Sequence, residues 1–137
     1  MPLTKDQQLQ YIAHLVGECK KCDLSKTATN PVPGSGNPNA EIVFIGEAPG
    51  EQEDKQGLPF VGNSGKLLDK LLNTIRVSRS DVFICNILKH RPPGNRDPLP
   101  EEMKVCVPYL KAQLKIIQPK IVITLGRFAM NYFFPQE

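Results

Sequence analysis

The sequence contains no tryptophan, only two histidines (His14 and His90) and four cysteines in 137 residues. Without tryptophan, any aromatic role falls to six phenylalanines and three tyrosines. No apolar run is long enough to span a bilayer, which excludes a membrane-crossing helix. No secretory leader is read at the N-terminus, so the expected location is the cytoplasm. In that reducing setting, clustered cysteines point to metal rather than to disulfides. There is no internal repeat and no low-complexity stretch. One domain over residues 1–137 is expected for this length. The net charge of +3 excludes little. Its distribution says more: acids concentrate in the middle of the chain, while Lys89, His90, Arg91 and Arg96 cluster further on. That pattern suits a polyanion meeting one face, and it equally suits an ordinary mixed surface.

What is present alternates between strand and helix. Residues 5–19 read as a helix with Leu9, Ile12, Leu15 and Val16 on one face and Thr4 as its cap. Residues 25–39 hold three prolines and two glycines and read as a loop. Ile42–Ile45 and Val82–Leu88 read as buried strands. Residues 65–75 carry Leu67, Leu68, Leu71, Leu72 and Ile75 at helical spacing. Pro100, Glu101 and Glu102 open a further helix, with proline and acids in its first turn. Met103, Cys106, Val107, Leu110, Leu114 and Ile117 form its inner stripe. Ile121–Leu125 is another strand, and Gly126 leads into a short helix. The alternation predicts an α/β fold with a parallel sheet covered on both faces.

The chain is organised around residues 46–62. This connection carries four acids and four glycines between a strand and a helix. Core packing does not call for such a composition, and long unstructured connections are uncommon unless functional. It sits at the carboxyl end of a strand, where open α/β sheets bind their ligands. Glu51 and Asp54 read as solvated. A second irregular loop, residues 89–98, contains Pro92, Pro93 and Gly94, which exclude an α-helix.

Cys19 and Cys22 form a C-x-x-C, a spacing that lets two thiolates reach one metal centre. Further ligands are sought among Cys85, His90 and Cys106. Cys85 lies in an apolar strand and Cys106 on an apolar stripe, so each also reads as a small core residue. His90 also reads as a solvated loop residue, and His14 as a surface one. A redox dithiol is the alternative, although that motif usually opens a helix after a strand. Composition alone admits zinc held by three Cys and one His as readily as an iron–sulfur cluster.

These blocks together resemble one family. Gly46-Glu47-Ala48-Pro49-Gly50, Glu53-Asp54 and Gly57-Leu58-Pro59-Phe60-Val61-Gly62 look like the first signature of the family 4 (type-4) uracil-DNA glycosylases, iron–sulfur base-excision enzymes. Asn86 with Lys89-His90-Arg91-Pro92-Pro93-Gly94-Asn95-Arg96 resembles the next block. Cys19-x-x-Cys22, Cys106 and Ile121–Gly126 match further features in register. The resemblance implies a three-layer α/β/α sandwich with a mostly parallel central sheet. It implies hydrolysis of the N-glycosidic bond of flipped-out uracil in single- or double-stranded DNA, by a protein monomeric at full length.

The resemblance also implies roles for particular residues. Glu47 and Glu53 would be the catalytic carboxylates, with the water-orienting one left open. Gly46, Ala48, Pro49, Gly50, Phe60 and Asn86 would bind the substrate, Phe60 stacking on the base and Asn86 reading its edge. Arg91, Asn95 and Arg96 would contact the DNA backbone. Cys19, Cys22, His90 and Cys106 would hold a [4Fe-4S] cluster, with zinc as the alternative. The family usually has cysteine where this chain has His90; Cys85 is the other candidate for that ligand. Family members also continue through another strand and a His-Pro-Ser type loop. The expectation is therefore a chain without its last strand and helix, either active or a relative that binds DNA or uracil only.

Overall fold

The computed structural model describes residues 2–21 and 23–135. Cys22, a predicted ligand, lies outside the described residues. Among the described residues, six α-helices and four strands follow one another: α1 Lys5–Gly17, α2 Leu24–Thr27, β1 Ser35–Gly36, β2 Ile42–Gly46, α3 Glu51–Gln56, α4 Asn63–Thr74, β3 Phe83–Asn86, α5 Pro100–Ile117, β4 Ile121–Thr124 and α6 Arg127–Phe133. The sheet order is β1-β3-β2-β4. β2 runs parallel to β3 and to β4, and only β1 is antiparallel. The α/β alternation is therefore present, and the sheet is mostly parallel, as the resemblance implies, rather than wholly parallel, as the alternation alone predicts.

Local chemistry explains the helix ends. The Thr4 hydroxyl accepts from the Gln7 N–H at 3.1 Å, and the Gln7 amide oxygen accepts from the Thr4 N–H at 2.9 Å, a reciprocal capping box. Leu9 and Val16 bury the inner face of α1. Gln118, left-handed at φ 55°, ends α5. On one face of the sheet, Val43, Ile45, Phe83 and Cys85 pack under α5 with Val107, Leu110 and Ile117. On the other, Phe44 and Ile84 pack under Leu68 and Leu72 of α4. The alternation along β2 and β3 sends successive side chains to opposite layers.

Three expectations are corrected, and one is refined. Residues 25–39 are not all loop: α2 and β1 lie there, too short for a periodic pattern to reveal. The acidic connection contains α3, closed by a left-handed Gly57. The sheet is not covered on both faces throughout. Edge strand β4 leaves Ile121, Val122 and Ile123 exposed. Finally, the leucines of α4 divide. Leu68 and Leu72 are buried, whereas Leu67, Leu71 and Ile75 are exposed, because adjacent helical positions are turned about 100° apart.

Candidate functional site

The parallel strands β2, β3 and β4 end at one edge of the sheet. Gly46 and Asn86 pair across that edge. The ladder continues beyond it: Ile87 N–H donates to the Gly46 carbonyl at 3.0 Å, and Leu88 N–H to the Glu47 carbonyl at 3.1 Å. These two bonds lock the exit carrying Glu47 to the exit carrying Asn86. A cavity of about 470 Å³ opens above them. Glu47, Glu53, Phe60, Asn86 and Leu125 are among its lining, with Leu67 and Leu71 of α4 forming its apolar wall. It is concave, mostly apolar and carries few polar groups, as small-molecule sites do.

Asn86 is 2% exposed. It lines the cavity, where the donors and acceptor of its amide can meet a ligand. Phe60 sits beside it in the left-handed region, at φ 51°. A Cβ added at Gly46 would lie 2.5 Å from Asn86 Oδ1 and from Cζ of the Phe60 ring. Gly46 is therefore the gap that lets ring and amide meet. Gly65 plays the same part behind the ring, where a Cβ would lie 1.9 Å from the Phe60 carbonyl oxygen.

The two glutamates differ. Glu53 Oε1 accepts from the Gly50 N–H at 2.9 Å. Its Oε2 accepts from Val61 N–H at 2.9 Å and Gly62 N–H at 2.7 Å. Its carboxylate thus cross-braces the loop. Glu47 is half-buried, and burial raises its carboxyl above the ordinary value. Asp97 adds to the rise and Arg127 opposes it. Asp97 and Arg127 pair at 2.9 Å beside it. Ala48 and Gly50 line the cavity, whereas Pro49 is buried outside the lining.

Beneath the site lies a group the sequence pattern misassigned. Lys89, grouped above with the basic cluster, is 0% exposed. Its ammonium donates to the Asn86 carbonyl and to Gln113 Oε1, both at 2.8 Å, and Gln113 Nε2 donates to the Pro33 carbonyl at 2.7 Å. Burial pushes the Lys89 ammonium below its ordinary value. This chain of bonds ties the end of β3 to α5 and to residues 32–33. Asp54 is corrected likewise: it is buried, not solvated, and its Oδ1 accepts from the N–H groups of Thr29 at 2.8 Å and Asn30 at 3.1 Å. Glu51 is exposed, as expected.

In the second loop, Arg91 donates to Asn95 Oδ1 at 2.7 Å, and Asn95 is exposed and left-handed at φ 58°. Arg96 grips both carboxylate oxygens of Glu102 at 2.8 Å, which holds the Glu102 carboxyl below its ordinary range. Glu102 in turn accepts from the Leu99 N–H at the start of α5.

Three of the predicted ligands, Cys19, His90 and Cys106, lie about α2. Cys19 and His90 line one cavity of about 490 Å³ with Ser25 and Lys26. Cys106 is buried against Leu24 and Leu88. Burial lowers the His90 imidazole below its ordinary value, which favours the neutral form that ligates metals. Among the described residues no three His, Cys, Asp or Glu side chains converge to hold an ion. The donor types nevertheless fit a soft-metal centre: two buried thiols and an imidazole about α2, with the Cys22 position between them in sequence. Cys85 is placed apart from these residues. It lies inside β3, its side chain in the core with Val43 and Leu110, so its reading as a small core residue stands.

The residues that sequence reasoning missed are Gln113, Asp97, Arg127 and Arg79. None belongs to a short motif. Only Gln113 left a trace, a polar residue interrupting the buried side of α5.

A family model described as the uracil DNA glycosylase superfamily matches residues 33–136. The chain is 54% identical over 128 residues to a protein of Archaeoglobus fulgidus named type-4 uracil-DNA glycosylase, covering 93% of this chain and 64% of that protein. It is 56% identical over 127 residues to the protein of the same name from Saccharolobus solfataricus (92% and 59%). It is 45% identical over 130 residues to the one from Thermotoga maritima (95% and 68%). The chain thus spans roughly three-fifths to two-thirds of the length of these curated relatives.

Proposed function

Because the chain belongs to the uracil DNA glycosylase superfamily, alongside its type-4 members, we propose that its cavity receives uracil flipped out of DNA, for hydrolysis of the N-glycosidic bond. The observation that carries this reading is Asn86, 2% exposed yet lining the cavity beside Phe60 at the mouth of the sheet.

A base inside a duplex cannot reach a cavity of this kind, so it must leave the stack, at a cost of a few kcal/mol. A carboxamide both donates and accepts, which matches the adjacent O4 and N3–H of uracil. Cytosine presents the reverse pattern and would leave a buried amide unpaired, at about 1–3 kcal/mol. Phe60 lies against the base. Glu47 is the carboxylate assigned to the sugar side, where cationic character develops and a water must be oriented. Glu53 keeps its place in the site as the brace that shapes the loop between Gly50 and Gly62. Arg91 and Asn95 contact the DNA backbone, and such contacts position the enzyme without reading sequence. Arg96, engaged by Glu102, holds that loop in place.

Cys19, Cys22, His90 and Cys106 are the residues assigned to a [4Fe-4S] cluster, with zinc the less favoured occupant. When bound, the cluster would tie the end of α1, the His90 loop and α5 together, and it takes no part in the chemistry. The substrate is uracil-containing DNA. No helix among the described residues is long and apolar enough to cross a membrane.

The test is incubation with a uracil-containing oligonucleotide followed by alkaline cleavage. Strand breaks at uracil, lost in Asn86→Ala, are expected. Gel-shift binding without breaks would instead make this chain a DNA- or uracil-binding relative without catalysis.

A further inference from the structure

Arg79 opens the 3-10 turn Arg79–Asp81 that leads into β3. It does not line the uracil cavity; it lies behind Phe60. Its guanidinium donates to the Pro59 carbonyl at 3.2 Å, to the Phe60 carbonyl, and to the Gly65 carbonyl at 3.4 Å. Its Nε donates to Asp69 Oδ1 at 2.5 Å, which fixes the plane of the fork. The carbonyls of the strained residue, of its predecessor and of Gly65 in α4 thus converge on one side chain from a distant turn.

Phe60 needs that support. A non-glycine residue in the left-handed region is strained, and such strain persists only where the surroundings over-determine it. The conformation turns the Phe60 carbonyl away from the cavity, toward the start of α4, and puts the ring over Gly46 and against Asn86. Released from it, the residue would relax toward an extended backbone, and the ring would leave the amide.

We propose that Arg79 is a positioning residue for Phe60: oriented by Asp69, it holds the Pro59, Phe60 and Gly65 carbonyls and so keeps the ring against Gly46 and Asn86. The inference rests on the uracil-pocket reading for its consequence, but its geometry stands apart from that reading. It concerns a residue outside the cavity, the loop signature and the cysteine set.

The test labels the six phenylalanines with fluorine and follows the Phe60 signal, assigned through Phe60→Leu, by NMR. The unaltered chain is expected to give one sharp Phe60 resonance. Arg79→Met should broaden or split it while the other five stay in place, and Arg79→Lys should restore part of the sharpness. A Phe60 signal unchanged in folded Arg79→Met overturns the proposal, because a merely stabilising residue would lower the melting temperature and leave that signal alone. Should Arg79→Met fail to fold, Asp69→Asn loosens the fork more gently. It should broaden the same signal, and an unchanged signal there likewise overturns the assignment. Free uracil is then titrated into each protein. With the binding-competent fraction reduced to about a tenth, apparent affinity in Arg79→Met should fall about tenfold. If uracil fails to shift the Phe60 signal in the unaltered chain, the pocket reading fails and the Arg79 result still stands. If uracil shifts it equally, with equal affinity, in both proteins, the Arg79 assignment is wrong.

Discussion

Exchanging Glu53 and Glu47 in turn for glutamine separates brace from catalyst. In Glu53→Gln the side chain keeps one acceptor oxygen and gains an N–H₂ group. That oxygen can still serve Val61 and Gly62, which now share Oε2 at 2.9 and 2.7 Å. The Gly50 N–H, at 2.9 Å from Oε1, would then face a donor. Hydrogen bonds to a charged group are worth about 1.5–3 kcal/mol, and an unpaired buried donor costs about 1–3 kcal/mol. Losing one such bond and weakening two others sums to roughly 2–4 kcal/mol, discounted for half-burial. For a domain of this size that lowers the melting temperature by about 10 °C.

Glu47→Gln should behave oppositely. The Glu47 carboxyl is raised in the folded state, by burial first and by Asp97 second. A raised acid destabilises the fold once the pH exceeds its unfolded value, with the loss growing until the pH passes the folded value. Removing that charge at neutral pH should leave the melting temperature unchanged or raise it, while uracil release is lost. Thermal unfolding by circular dichroism, run beside the oligonucleotide cleavage assay, reads both. A Glu53→Gln protein that melts like the parent yet cleaves nothing would refute the division of labour, and so would a Glu47→Gln protein that melts several degrees lower.

Further outcomes follow from the same geometry. Gly46→Ala places a methyl 2.5 Å from both Asn86 Oδ1 and the Phe60 ring; overpacking costs about 1–3 kcal/mol, and uracil binding by calorimetry should disappear before the fold does. Lys89→Met strands the Asn86 carbonyl and Gln113 Oε1, each held at 2.8 Å, so an unfolding free energy from chemical denaturation lowered by about 2–4 kcal/mol is expected; an unchanged value would refute the network. His90→Cys should keep the iron content and visible absorption that His90→Ala loses, whereas loss of iron in Cys85→Ser would move the ligand to Cys85. The exposed apolar edge of β4 should make this chain self-associate, and a clean monomer by light scattering would count against that.

The sequence by itself determined what local patterns carry. Apolar runs placed β2 and β3, and helical spacing placed α4. The proline and acids after Leu99 marked the start of α5, and Thr4 marked the start of α1. Glycines between a strand and a helix located the mouth of the sheet, and the motif blocks identified the family. Tertiary structure alone decided what each polar group does there, because a side chain's role depends on partners far along the chain. Lys89 reads as one of a basic run, yet Gln113, 24 residues on, draws it inward. Asp54 reads as solvated until the backbone of Thr29 and Asn30 closes over it. Glu47 and Glu53 look equivalent on paper; three backbone N–H groups claim one and leave the other facing the cavity. Cys85 and His90 are five residues apart, but the alternation of β3 sends the thiol into the core, while the loop beyond the strand turns the imidazole toward Cys19. Phe60 is legible as an aromatic in a glycine-rich loop, whereas its strained backbone and the Arg79 fork behind it exist only once α4 and the turn before β3 have packed together.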